Sequence, residues 1–338
     1  MDPKAALRVL AIRSSLSKPA PVSLGYELTH RCNLDCKYCD RHTPLPDEME
    51  HDDIFSALAG MLRIGMRSLS LDGGEPLLHP DVAEIVEWLV NRRIEVRMNS
   101  NGLLVPTRLE VVRYLSKLKI SVDGPRAVND SVRGKHAWNR AIEGAIAARD
   151  LGVQVELTCV VGRHNASTVT SLVELVAQLG FGVIFQPARD SLFVGHHDRV
   201  SYALDNLEVR HAFDRIEYLK MRGAPVLNGW SSLRHFRRFP LDTPVPCAAG
   251  WINATMDPAG NLYACGLHSR LNRSNNVVRL GVETAFQRLH RRGCQQCWCA
   301  RVVEENFAWG GRFDQMLPLV PMREHSDSFP PALPCTAP

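Results

Sequence analysis

Three cysteines, Cys32, Cys36 and Cys39, fall in the stretch CNLDCKYC with a C-x3-C-x2-C spacing. Three thiolates this close make an incomplete metal cage. A cubane [4Fe–4S] cluster that only carries electrons takes four thiolates, so a loop supplying three leaves one iron open to an outside ligand. Zinc is the competing occupant. Structural zinc sites, however, pair two C-x2-C halves or add histidines at fixed offsets, and His30 and His42 hold no such offsets. A second cysteine group lies far downstream, where Cys247 and Cys265 bracket CAAGWINATMDPAGNLYAC and Cys294, Cys297 and Cys299 fall in CQQCWC. Four ligands from these five would close a second cluster, although a zinc ribbon also draws on paired cysteines near hairpins. Of the ten cysteines, only Cys159 and Cys335 stand apart, read as a buried small apolar residue and a tail thiol.

The elements that must position the first loop are legible in the hydrophobic pattern. Six β-rich runs, at 22–29, 68–73, 94–100, 117–124, 154–161 and 182–188, alternate with segments of helical apolar spacing. One such segment carries Ile54, Phe55, Leu58 and Leu62, and a later one carries Val169, Leu172, Val173 and Val176. Gly152 and Gly180 follow two of them, where helices commonly stop. Strict alternation of strand and helix predicts an α/β fold with a parallel sheet and right-handed crossovers. Six units instead of eight predict a partial (β/α)6 barrel with its site at the carboxyl ends of the strands. The cysteine loop follows the first strand directly, which places it at that rim.

After a further helix around Asp205 to Met221 the alternation stops and prolines at 225, 240, 244 and 246 mark a linker. WINATMD and NLYAC then read as two strands joined by a turn at Pro258, Ala259 and Gly260, a hairpin that would draw Cys247 and Cys265 together. The chain thus divides into a lead-in (1–20), the barrel (21–222), a small cysteine-rich domain of hairpin and helix (223–316) and a proline-rich tail (317–338) expected to be poorly ordered.

Composition narrows the function class. Hydrophobic residues make up 45% of 338, enough for a sizeable core, and the net charge of +4 is mild with its arginines and lysines scattered. Nucleic acid is therefore not an expected partner. No apolar run reaches the roughly 18 residues of a membrane span, and the amino terminus lacks a signal-peptide core. The expected location is cytoplasmic, where clustered cysteines read as metal ligands and not as disulfides.

The pairing of CNLDCKYC after the first strand with GGEP (Gly73, Gly74, Glu75, Pro76) after the second resembles the radical S-adenosylmethionine (SAM) superfamily. That resemblance implies a [4Fe–4S] cluster whose open iron is chelated by SAM. Electron transfer then cleaves SAM to methionine and a 5′-deoxyadenosyl radical that takes a hydrogen atom from the substrate. It implies cofactor contacts from Gly73 and Gly74, whose missing Cβ atoms let the backbone approach, and from Glu75 to the cofactor ammonium. By the same resemblance Tyr38 lies against the adenine, Asn99, Ser100, Asn101, Ser121 and Asp123 contact ribose and methionine, and Arg133 pairs with the methionine carboxylate.

The downstream spacing of cysteine, twelve residues, glycine, four residues and cysteine is similar to the opening motif of the SPASM and Twitch auxiliary-cluster extensions. The cysteine count favours the shorter Twitch type with one auxiliary [4Fe–4S] cluster, most simply on Cys247, Cys265, Cys294 and Cys297, with Cys299 as the alternative to Cys297. Such a cluster suits an electron relay, and an electron donor such as flavodoxin or ferredoxin would reduce the first. About 20 residues precede the barrel, leaving no room for the leader-peptide domain of about 80 to 90 residues common in peptide-modifying members. The expected substrate is therefore a small polar metabolite, a sugar, aminocyclitol or nucleoside of natural-product biosynthesis such as that of an antibiotic, undergoing oxidation, rearrangement, decarboxylation or C–C bond formation. A peptide-modifying maturase is the alternative, and a non-catalytic iron–sulfur electron carrier is the alternative of another class. Strand-end placement nominates Glu27, Asp72, Asn101, Arg163 and Gln186 as substrate or proton-handling residues.

Overall fold

The computed structural model describes residues 19–39, 47–188, 201–239, 245–266, 273–289 and 297–311. The lead-in through residue 18, the proline-rich tail and Cys294 lie outside the described residues. All six expected strands form: β1 (Ser23–Thr29), β2 (Ser68–Gly73), β3 (Glu95–Ser100), β4 (Lys117–Ser121), β5 (Gln154–Val161) and β6 (Gly182–Pro187). They pair in parallel in chain order.

The crossovers carry α1 (His51–Arg63), α2 (Val82–Val90), α3 (Leu109–Val112), α4 (Arg126–Arg133), α5 (Ala137–Asp150) and α6 (Val169–Gln178). After β6 come α7 (Asn206–Met221) and α8 (Trp230–Phe236), then β7 (Asn253–Met256), β8 (Leu262–Tyr263), α9 (Val277–Leu280), α10 (Val282–Gln287) and α11 (Ala300–Trp309). Helix α7 starts in a capping box, with Asp205 accepting from the Leu207 and Glu208 amides while Glu208 reaches back to the Asp205 amide. No helix among the described residues is long and apolar enough to cross a membrane.

The hairpin departs from the expected separation of barrel and cysteine-rich domain. Strand β7 pairs in parallel with β1, Ser23 opposite Asn253 through Tyr26 opposite Met256, and β8 turns back antiparallel on β7. One eight-stranded sheet results, in the order β6-β5-β4-β3-β2-β1-β7-β8. An uncovered β1 edge would expose a row of open backbone donors and acceptors. The hairpin satisfies that edge, a choice that local sequence pattern does not encode.

Parallel sheets covered on both faces are normally apolar on both. This one is not. Leu24, Tyr26, Leu28, Leu69, Leu71, Val96, Met98, Leu118, Ile120 and Leu157 belong to the buried core, while the alternate positions are polar. Register pairs Glu27 with Asp72 and runs from Asn99 through Lys119 to Glu156, and the Asn99 side chain donates to Asp72 to join the two into one row.

Helix α11 lies over this polar face. Its Arg301 comes so near β1 that a Cβ on Gly25 would sit 2.9 Å from Nη2. Its Glu305 pairs with Arg97 of β3 at 3.3 Å and with Arg301 at 3.3 Å. At its start, the Ala300 amide donates to Gln186 of β6 at 3.0 Å; near its end, Asn306 accepts from the Ala248 amide at 2.9 Å. The helix therefore spans the gap between the β6 edge and the β1–β7 side, where a closed barrel would have further strands.

Burial opposes ionisation of Glu305, but Arg301, Arg97 and Lys119 outweigh it and hold its carboxyl below the usual range. A depressed folded value means stability that is fully present above the unfolded value of about 4.3 and lost as pH falls through the folded value. Urea unfolding between pH 3 and 7 is expected to show this acid loss in the native chain and a weaker one in Glu305→Gln.

Candidate active site

The site grows from the end of β1. The Glu48 carboxylate accepts from the Thr29 hydroxyl at 2.9 Å and the His30 amide at 3.1 Å, fixing the root of the loop that carries Cys32, Cys36 and Cys39. Glu27 and His30 form a buried pair at 3.0 Å directly beneath it. The GGEP segment is stitched to the same root: the Gly74 amide donates to the Thr29 carbonyl and the Glu75 amide to the Arg31 carbonyl, both at 2.8 Å. A Cβ on Gly73, which has φ +127°, would overlap the Thr29 carbonyl oxygen, and one on Gly74 would overlap that of Arg31. Both glycines are thus required by the approach of two loops of the same chain, a demand separate from the cofactor approach that the sequence suggested.

Glu75 also turns inward. It is fully buried, accepting from the Ser100 hydroxyl at 3.0 Å, the Asn101 amide at 2.8 Å and the Leu77 amide at 3.2 Å. Burial pushes its carboxyl up to about 7 although these three donors pull it down. Three donors fill most of the roughly four acceptor positions of a carboxylate, so Glu75 knots the β2 and β3 ends together. Pro76 opens a short 3-10 turn over Pro76–Leu78. Asn101 continues toward the cysteines, its Nδ2 donating to Asn33 Oδ1 at 2.7 Å and lying 3.9 Å from Cys32 Sγ.

On the opposite side, Asp123 and Arg133 form a buried ion pair. Asp123 Oδ2 accepts from Arg133 Nε at 2.7 Å and from the Tyr38 hydroxyl, and Oδ1 accepts from the Val160 amide at 3.0 Å. Arg133 also donates to the Tyr38 oxygen, and its Nη1 stands 4.0 Å from Cys36 Sγ. Burial opposes the Arg133 charge, yet Asp123, Tyr38 and Cys36 outweigh it and raise its pKa. The guanidinium thus contacts the chain's own Asp123, Tyr38 and Cys36. Burial pushes the Cys36 thiol up to about 12, against the pull of Arg133. A cation beside the sulfur suits a bound, negatively charged thiolate far better than a bare thiol, so this donor set fits a metal cluster.

The remaining nominated residues separate into those the rim gathers and those it does not. Asp72 and Asn99 hydrogen-bond to each other on the polar face, and Ser121 is half-buried at the end of β4. Arg163 is exposed and holds the stretch after 200, donating from its amide to the Tyr202 carbonyl at 3.0 Å and from Nε to the Ala203 carbonyl at 2.8 Å. Gln186 anchors α11 as described. Sequence reasoning missed Arg301 and the pair His164 and Tyr202, which pack on Tyr38 with centroid distances of 5.8 and 5.9 Å. The one available signal was the polar RHN run directly after β5.

Of the downstream cysteines, Cys297 is buried with its carbonyl bonded to His235, Cys265 and Cys299 are half-buried, and Cys247 is exposed. Cys299 is the N-cap of α11. Burial opposes the Arg301 charge, but Glu305, Asp72, Cys299 and Cys265 outweigh it. Among the described residues no three His, Cys, Asp or Glu side chains converge as on a single ion, and Cys294 is not described, so the downstream ligand set rests on sequence spacing.

Comparison with known proteins bears on this rim. Residues 26–176 match the sequence profile of the Radical SAM superfamily. This region is a radical SAM domain. It is 28% identical over 262 residues to the mycofactocin maturase MftC of Mycobacterium tuberculosis, covering 73% of this chain and 64% of that relative. The chain thus spans a little under two thirds of the length of the first curated relatives it matches. It is 28% identical over 261 residues to the PqqA peptide cyclase of Gluconobacter oxydans, covering 72% of this chain and 70% of the relative. The fold matches Streptococcus suis SuiB bound to S-adenosylmethionine, with TM-score 0.62 and 17% identity over 92% of this chain and 71% of that one. It also matches anSMEcpe with bound AdoMet, with TM-score 0.62 and 19% identity over 79% and 80%. The domain implies a [4Fe–4S] cluster and SAM as cofactors.

The Asp123–Arg133 pair is the electrostatic centre of the rim. Asp123→Asn leaves a buried guanidinium without its counter-charge, and urea denaturation is expected to show a loss of about 3–5 kcal/mol. Tyr38→Phe removes one hydrogen-bonding hydroxyl and is expected to cost about 1 kcal/mol.

Proposed function

We propose that this chain is a radical SAM maturase that acts on a peptide. The reading is carried by how far different relatives align. The AdoMet-dependent heme synthase of Methanosarcina barkeri and a probable GTP 3′,8-cyclase of Saccharolobus solfataricus each match over 48% of the chain. The maturase and the peptide cyclase match over 73% and 72%. Enzymes named for small-molecule products therefore share about half of the chain, while those named for maturation or peptide cyclisation share the region past the barrel as well. This extent favours the peptide alternative over the small polar metabolite first expected.

In this proposal Cys32, Cys36 and Cys39 would hold the cluster that works with SAM. Bound there, cluster and SAM together supply a 5′-deoxyadenosyl radical able to take a hydrogen atom from an unactivated carbon. The chain's own residues do the positioning. Glu48 and the GGEP stitches fix the loop root, Arg133 presents positive charge to Cys36, and Asn101 braces Cys32 through Asn33. Asp72 and Asn99, half-buried on β2 and β3, are the polar groups offered to a peptide backbone. Cys247, Cys265, Cys294 and either Cys297 or Cys299 hold an auxiliary [4Fe–4S] cluster.

Reconstituted, reduced protein is expected to convert SAM to 5′-deoxyadenosine, and Cys36→Ala is expected to abolish it. Turnover is then compared with a panel of short peptides and with a panel of sugars, aminocyclitols and nucleosides. A mass change in the peptide is the expected outcome; stimulation by the small molecules alone would overturn the peptide reading. For the auxiliary cluster, iron per chain is expected to fall from about eight to about four in Cys247→Ala/Cys265→Ala, at four irons per cluster, and unchanged iron would refute it.

A further inference from the structure

The inner face of the sheet is not sealed. On β3 and β4 the positions turned away from α11, Val96, Met98, Leu118 and Ile120, are buried, whereas Arg97, Asn99, Lys117, Lys119 and Ser121 on the α11 side are only half-buried. Inner strands of a sheet tightly covered on both faces bury both rows, so space that water reaches remains between this face and α11.

The charges around that space are unevenly paired. Glu305 is one carboxylate shared by two guanidinia, Arg97 and Arg301, each at 3.3 Å. Lys119 comes no nearer than 3.8 Å to Glu156, which Lys117 grips more closely. Burial pushes the Lys119 ammonium below its usual range and the cations Lys117, Arg97 and Arg301 push it further, although Glu156 pulls it up. A negative group entering here meets cations that lack full counter-charge.

Arg301 has the donors to receive it. A guanidinium carries five N–H groups, and among the described residues the one hydrogen bond from Arg301 runs from Nη1 to Glu305. Its Nη2 lies over Gly25, where a Cβ would stand 2.9 Å away, and 16% of the side chain stays open to solvent. Asp72 contributes to its field but already accepts from Asn99. Unused donors on a largely buried cation are costly, and the planar fork matches a carboxylate through two parallel hydrogen bonds.

We propose that the unused edge of Arg301 binds a carboxylate of the substrate on this face, so that Arg301 selects a carboxylate-bearing substrate. The source of that carboxylate, an acidic side chain or a chain terminus, rests on the peptide reading above; the site itself does not.

Equilibrium dialysis of the reconstituted holoenzyme tests it with three probes. N-acetylglutamate methylamide carries a side-chain carboxylate, N-acetylalanine a terminal one, and N-acetylglutamine methylamide none. One of the two carboxylates is expected to bind about tenfold more tightly than the neutral probe, and which one does so assigns the source. The preference is expected to vanish in Arg301→Gln and to return in part in Arg301→Lys, with iron content unchanged. Gly25→Ala, whose Cβ presses on the guanidinium without removing its charge, is expected to weaken the preference and decides the matter if Arg301→Gln misfolds or loses iron. Equal binding of all three probes by the native chain, or a preference kept in Arg301→Gln or unchanged in Gly25→Ala, overturns the proposal. The preferred carboxylate is then placed in short peptides. Turnover of these supports both levels, whereas Arg301-dependent probe binding with no peptide turned over keeps the carboxylate site and sinks the peptide reading.

Discussion

Asp123 and Arg133 are both buried, and each is the other's counter-charge at 2.7 Å. Their ion pair also decides where the neighbouring groups go. Through Tyr38 it fixes the residue between two cysteines; through Nη1 it brings positive charge to Cys36; through the Val160 amide it joins the end of β4 to β5. Asn129 and Asn165 complete the knot, one accepting from the Asp123 amide at 2.9 Å and the other donating to its carbonyl at 2.7 Å. A cysteine loop of few apolar contacts thus acquires a defined position from electrostatics and hydrogen bonds instead of from packing.

A second knot stands opposite. Glu75 collects three donors from β2 and β3 loops, and its own backbone is laddered to the cysteine loop. Between the two knots the loop is gripped from both sides, which matters for a site whose metal ligands must hold a fixed geometry while one coordination position stays open. The residues that looked like cofactor contacts from sequence, Glu75 and Arg133 above all, are the ones that make this grip. A strand-end polar residue satisfies its bonding wherever donors are nearest, and here the nearest donors belong to the chain.

The polar face of the sheet and helix α11 connect the two cysteine regions. Arg301, two residues beyond Cys299, reaches Glu305, the β1 backbone at Gly25 and the field of Asp72. The downstream segment is consequently part of the barrel's own architecture, with β7 on the β1 edge and α11 across the opening. The maturase and the peptide cyclase align over 73% and 72% of the chain.

The cysteine spacing, the GGEP segment and the six alternating strands were legible in the sequence because each depends on local pattern: thiol spacing, glycine tolerance, and periods of two and 3.6 residues. That was enough to determine the superfamily, the cofactors and the barrel. Tertiary structure decided the rest. It placed β7 beside β1, because an open strand edge is satisfied by whichever strand arrives. It turned Glu75 and Arg133 inward, because buried charges go to partners distant in sequence. It also gathered Tyr38, His164 and Tyr202 into one box, although they come from three separate loops with no shared spacing, since only the folded sheet brings those strand ends to one rim.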